Sequence, residues 1–239
     1  MTKPLKTVLI LCVVFGMRQI TGADIYNVTL DTSPLVGHPA GPFEVLLAFT
    51  DGSGIGDANN TVTLSGLDFG GGSALGSPIV FGGASGSLET GISITDTSVI
   101  SFFEEGFNPG LQLSFSLGLT LNDDAGGTPD RLTFFVLDSL GVPLPTLAPA
   151  GDYFFGVDLG SSGPVFDAWA TDPTRSPSVG GPVTIPAPIV TTAVPEPSTI
   201  WLLGAVMIGL PGVRYFSRRT QRHTSTSATA LRKLPQGRE

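Results

Sequence analysis

The 239-residue sequence holds one cysteine, Cys12, inside an N-terminal apolar run. The rest of the chain can form no disulfide and offers no thiolate metal site and no cysteine nucleophile. Basic residues are almost as scarce. From residue 24 to 194, Arg131 and Arg175 alone stand against eighteen Asp and Glu. A surface of that sign repels phosphates, which excludes nucleic acid as a partner, and it favours solubility. Histidine is nearly missing too: His38 is the only one in this region, in a Gly-His-Pro turn. With no His pair at i, i+4 and no Cys/His cluster, zinc is not expected. No serine occupies a Gly-x-Ser-x-Gly elbow leading into a helix. No stretch of residues 24–194 keeps an i, i+3, i+4, i+7 apolar stripe for three turns, so little or no helix is expected there.

What the region does have is period-two alternation. Leu or Phe stands at 111, 113, 115, 117, 119 and 121, with Gln112, Ser114, Ser116, Gly118 and Thr120 between them. Such spacing sends one face to a core and the other to water. Further strands are expected at 25–30, 43–50, 61–69, 79–81, 87–95, 99–104, 132–138, 153–159 and 165–170. Gly70-Gly71-Gly72-Ser73 and Gly82-Gly83-Ala84-Ser85-Gly86 read as turns. Strands at this spacing predict an all-β fold, a jelly-roll-like β-sandwich over residues 24–171. Residues 172–193, rich in Pro, Thr and Ser, read as an extended spacer.

The chemistry left to such a domain is that of carboxylates. Asp51-Gly52-Ser53-Gly54-Ile55-Gly56-Asp57-Ala58-Asn59-Asn60 places oxygen donors at alternate positions, and Asn122-Asp123-Asp124 with Asp130 forms a second group. Oxygen-rich loops suit hard cations. Calcium is therefore the one cofactor the sequence suggests, with Asp51, Asp57, Asp123, Asp124 and Asp130 as candidate ligands. The same residue types also build ordinary turns. The neighbours Glu104-Glu105 and Asp123-Asp124 would point to opposite faces of a strand. That makes them poor pairs for glycoside hydrolysis, which needs two carboxyl groups about 5–9.5 Å apart. No catalytic residue is assigned, and a carboxylate-based hydrolase ranks below two non-enzymatic readings. One is a surface or matrix protein. The other is a carbohydrate-binding or adhesive module, with or without calcium, with Tyr153 and Trp169 as candidate stacking aromatics.

The ends of the chain carry addresses. Lys3 and Lys6, the apolar run 7–17 and Thr21-Gly22-Ala23 read as a signal peptide over residues 1–23, cut between Ala23 and Asp24. Near the other end, Val194-Pro195-Glu196-Pro197-Ser198-Thr199 precedes an apolar stretch, and Arg214, Arg218 and Arg219 follow as a basic stop. Residues 198–216 approach the lower length limit of a transmembrane helix, about 17 residues. Positive charge beyond a span stays on the cytoplasmic side, so residues 24–194 would lie outside and the basic tail 220–239 inside. Two prolines lock φ and keep the Pro-Glu-Pro stretch extended.

This C-terminal arrangement resembles the PEP-CTERM sorting signal of Gram-negative bacteria, over residues 194–219. The resemblance implies processing by an exosortase, an integral-membrane cysteine peptidase, during export across the inner membrane. It also implies a final place at the cell surface or outside it, in bacteria that make exopolysaccharide and biofilm. Residues 123–138, with the earlier stretches 26–32 and 37–42, resemble a recurrent subgroup of PEP-CTERM proteins, which adds no chemistry.

Overall fold

The computed structural model describes residues 24–193, Ala125 excepted. The expected signal peptide, the sorting signal with the helix expected at 198–216 and the tail 220–239 lie outside the described residues.

Twelve strands follow one another: β1 Asp24–Asp31, β2 Phe43–Thr50, β3 Thr61–Asp68, β4 Ser73–Phe81, β5 Gly83–Ser87, β6 Gly91–Thr95, β7 Ile100–Asn108, β8 Gln112–Leu119, β9 Asp130–Leu137, β10 Phe155–Leu159, β11 Val165–Ala168 and β12 Ile189–Thr192. A single 3-10 turn, Ser33–Leu35, is the only helical element among the described residues. The strands build two antiparallel six-stranded sheets, ordered β12-β1-β8-β3-β6-β5 and β11-β10-β9-β2-β7-β4. The chain changes sheet at every step from β1 to β5 and again from β6 to β9. Strands paired within a sheet are thus mostly distant in sequence, and the two sheets wrap one core.

Alternation dictates that core. Phe43, Val45, Leu47 and Phe49 of β2 point inward, as do Leu113, Phe115, Leu117 and Leu119 of β8 and Leu132, Phe134 and Val136 of β9. Aromatic rings bridge the sheets: Phe115 lies 5.9 Å from Phe134 and 6.3 Å from Phe155, centroid to centroid. Each fully buried large side chain contributes about 1.5–3 kcal/mol.

Three expectations are corrected. The glycine-rich stretch read as a turn at 82–86 is strand β5 in most of its length, because this edge position lies tight against β6. A Cβ on Gly83 would collide with Thr95. The strand expected at 87–95 is instead the turn and second strand of a hairpin, with β5 pairing β6. β4 begins six residues earlier than expected. Gly76 and Pro78 sit where its register against β7 shifts between Leu75 and Ile79. An edge strand tolerates a bulge and a missing donor.

The spacer reading of 172–193 also changes, since this segment is fastened to the body. Val183 and Ile185 are buried in the core. The Ile185 N–H donates to Thr171 Oγ1 at 2.8 Å, and the Thr171 N–H donates to the Ile185 carbonyl at 3.0 Å. β12 then pairs with β1 from Tyr26↔Thr192 to Thr29↔Ile189. Prolines at 173, 177, 182, 186 and 188 keep the strap extended, and the apolar residues between them do the anchoring. Asp138 adds a polar clasp. It accepts N–H bonds from Leu140 and Val142 in its own turn and from Ser178 in the strap, at 3.0, 3.1 and 2.9 Å. Burial pushes the Asp138 carboxyl up, but these donors outweigh it and hold it below the ordinary carboxylate value.

Two outcomes follow for the strap. Ile185→Ala should cost about 2–5 kcal/mol in urea unfolding, whereas a free spacer residue would cost nothing measurable. Asp138→Ala should cost about 2–4 kcal/mol near neutral pH. Because the folded carboxyl titrates below its unfolded value, that cost is complete above about pH 4–5. It shrinks as the pH falls through the folded value, which paired unfolding curves at pH 7 and pH 3 would show.

Candidate functional site

Three connections meet at one end of the sandwich: residues 51–60 between β2 and β3, 96–99 between β6 and β7, and 120–129 between β8 and β9. Turn chemistry shapes the first. Asp51 folds the loop around its carboxylate, which accepts N–H bonds from Ser53, Ile55 and Gly56 at 3.2, 2.8 and 2.8 Å. Burial pushes the Asp51 carboxyl up, but these donors and the Ser53 hydroxyl prevail and hold it below the ordinary value.

Asparagines sew the loops together. Asn60, fully buried just ahead of β3, donates from Nδ2 to Asp130 Oδ2 at 2.8 Å and to the Asn122 carbonyl at 3.0 Å, and its Oδ1 accepts the Asn122 N–H at 2.9 Å. Asn59 Nδ2 donates to Asp124 Oδ1 at 2.6 Å. The backbone N–H groups of Asn59 and Asn60 reach Asp96 Oδ2 at 3.2 and 3.1 Å, and the Gly52 N–H reaches Asp130 Oδ1 at 2.7 Å. Asp130 opens β9 in one sheet while Asn60 precedes β3 in the other, so this network clasps the two sheets.

Asp51, Asp96, Asp124 and Asp130 are 4, 0, 6 and 1 % exposed. Carboxylate oxygens of Asp51, Asp124 and Asp130 lie within 4.8 Å of one another, and so do those of Asp51, Asp57 and Asp96. Burial raises the carboxyl of Asp124, reinforced by the charges of Asp130 and Asp51. Burial also raises Asp96 and Asp130. Such a donor set is all oxygen, and it could hold a hard divalent cation.

Four of the five candidate ligands read from the sequence are brought together: Asp51, Asp124 and Asp130 in one group, and Asp57 beside Asp51 in the other. Asp123 is not. Its carboxylate turns away to accept the Ser161 N–H at 2.7 Å and the Ser161 hydroxyl. Asp96 was missed. Its only signal is its place in a Thr-Asp-Thr-Ser turn between two apolar runs, which marks a turn and nothing more.

Outside this end, the sequence reading of exposed stacking aromatics needs correction. Tyr153 is 6 % exposed, and its hydroxyl donates to Asp167 Oδ2 at 2.6 Å. Trp169 is half-buried, with Nε1 donating to the same oxygen at 3.0 Å. Arg131 holds Asp158 and Asp167 at 2.6 and 2.8 Å and lies 5.5 Å from the Tyr153 ring centre. His38 Nδ1 accepts the Ala40 N–H at 3.2 Å inside its turn. No helix among the described residues is long and apolar enough to cross a membrane.

The address at the C-terminal end is decided by comparison with known families. Residues 193–219 match the family model of the PEP-CTERM protein-sorting motif. The chain carries a PEP-CTERM sorting signal. The match takes in Val194, Pro195, Glu196, Pro197, Ser198 and Thr199 and the arginines at 214, 218 and 219, and it begins at the last described residue of the β body. A PEP-CTERM signal implies exosortase-dependent export to the cell envelope. No curated protein and no solved structure matches the chain.

Gly52 tests the packing of the carboxylate end. A Cβ there would stand 2.5 Å from Asp124 Oδ2 and collide with the Thr128 carbonyl. Gly52→Ala should therefore destabilise the protein by about 1–3 kcal/mol. Gly54→Ala, at an open position with positive φ, should cost about 1 kcal/mol through backbone strain alone. Urea unfolding of the two variants separates the effects.

Proposed function

We propose that the protein is a non-enzymatic component of the cell surface or extracellular matrix. It is synthesised with a cleavable signal peptide, held in the inner membrane by the 198–216 segment, processed by an exosortase at the Pro-Glu-Pro stretch and released to associate with exopolysaccharide. The β body, wrapped in jelly-roll fashion, is the exported cargo. The observation that carries this reading is the sorting motif at 193–219.

The geometry of the body is compatible with a cargo processed at both ends. β1 and β12 are antiparallel neighbours, and the Ala193 N–H donates to the Ile25 carbonyl at 2.8 Å. The expected cleavage point at Ala23–Asp24 and the start of the sorting motif therefore leave the body side by side. A non-catalytic role draws support from the shape of the acidic end. The cleft that reaches Asp124 has a volume of about 230 Å³, below the roughly 300–1,000 Å³ of small-molecule sites. No aromatic side chain lines it, so no ring there is positioned to stack on a sugar.

Mass spectrometry of the protein recovered from outside the cell tests the proposal. The expected chain starts at Asp24 and ends between Val194 and Thr199. Glu196→Ala should leave the C-terminal tail attached and the protein in the membrane fraction. A secreted parent protein that retains Arg214 to Glu239 would refute exosortase processing.

A further inference from the structure

We infer that Asp51, Asp124 and Asp130, with the Thr128 carbonyl beside them, form a calcium site that locks the 51–60 and 120–129 loops across the end of the sandwich. Neither the sorting signal nor the proposed surface role requires such a site.

Two independent observations point to a ligand. The first is an orphaned atom. Asp124 Oδ2 is buried and has no hydrogen-bond partner, although Asp124 Oδ1 is bonded to Asn59. It faces Gly52, the residue whose N–H holds Asp130, and the Thr128 carbonyl oxygen crowds the same point. Asn59 Oδ1 and Asp96 Oδ1 are likewise buried without partners in the surrounding network. A buried polar oxygen is normally satisfied by protein, water or an ion.

The second observation is the lack of a counter-charge. Buried carboxylates are normally paired or bound to metal. Both arginines of the described residues are engaged elsewhere, Arg131 with Asp158 and Asp167 and Arg175 with Asp152 and Asp172. Arg131 follows Asp130 directly, but strand alternation turns it to the outer face. The donors that reach the four buried aspartates are neutral amides and one hydroxyl.

The donor chemistry selects the ion. Hard oxygen ligands favour calcium or magnesium over softer metals. Calcium accepts six to eight oxygens at about 2.3–2.6 Å in irregular arrangements, with water completing the shell. Opposite ligands around it can stand nearly 5 Å apart, which suits oxygens within 4.8 Å of one another. Magnesium requires a tighter octahedron, about 2.0–2.1 Å. Asp57 and Asp96 adjoin Asp51 and strengthen the field for a divalent ion. Calcium sites of extracellular modules have Kd of about 10⁻⁴–10⁻³ M. If the protein is exported as proposed, a site of that class fills after the chain leaves the cytosol.

Calorimetry and thermal unfolding of the full chain in detergent, stripped with EGTA, test the site without reference to export. One calcium per chain should bind. The Tm should rise by about 3–10 °C in 10 mM calcium, and 10 mM magnesium should do much less. Asp124→Asn should weaken calcium binding at least tenfold while leaving the EGTA-treated protein folded, because it removes a repelling charge. Asp123→Asn, outside the site, should bind as the parent does. Absence of calcium binding by the parent protein would overturn the inference. So would an equal response to magnesium, or an equal loss in Asp123→Asn. If Asp124→Asn does not fold, the parent's stoichiometry and ion preference decide alone.

Discussion

Four aspartates buried at one end of a β-sandwich, with neither arginine of the described residues paired to them, set the terms for this structure. Moving a carboxylate out of water costs several kcal/mol unless charge or hydrogen bonds replace the lost solvation. Here the replacement comes from Asn59, Asn60, the Gly52 N–H and the self-wrapped Asp51 loop. The same bonds join the first residue of β9 to the residue before β3 and so hold the two sheets in register at this end. Nearer the opposite end, a buried Glu105 on β7 accepts the Leu88 N–H of the facing sheet at 2.6 Å. Polar clasps at two levels frame an aromatic and aliphatic core.

The central strands were plain in the sequence because their alternation is complete. Residues 43–50 and 111–121 each carry a large apolar residue at every second position; Phe43–Thr50 and Gln112–Leu119 form strands with that face buried, whereas Leu111, just ahead of its strand, is exposed and Leu121 lies past its end. The edges were less legible. β5 is Gly-Ala-Ser-Gly-Ser, with no apolar signal, and it exists because β6 offers it a partner. β12 follows a proline-rich strap whose anchors, Val183 and Ile185, are too few to stand out. Strand assignment at an edge depends on a neighbour from elsewhere in the chain, and a local window does not contain that neighbour.

The candidate site shows the same division. Both oxygen-rich stretches were visible, but as separate turns. Their merger follows from the order β9-β2 in one sheet and β8-β3 in the other, which carries both loops to one end. Direction within a loop was not readable. Asp123 and Asp124 are adjacent, yet one holds Ser161 at the surface and the other is buried against Gly52. Tyr153 looked like a platform for a ligand, and its hydroxyl proves to be part of the Asp167 network. In contrast, the sorting motif was legible in full, because its recognition depends on consecutive residues and needs no partner from the fold.

The division of charge fits this view of the molecule. The body is acidic, while the arginines from Arg214 onward follow the Pro-Glu-Pro stretch, so processing there would leave a strongly anionic protein. Its buried carboxylates would then depend on a cation drawn from the surroundings. A crystal structure of the calcium-soaked protein, with anomalous scattering used to locate the metal, tests this claim most directly. The account predicts one anomalous peak coordinated by Asp51, Asp124 and Asp130. A metal-free cluster in millimolar calcium, with Asp124 and Asp130 sharing a proton across a short oxygen–oxygen contact, would contradict it.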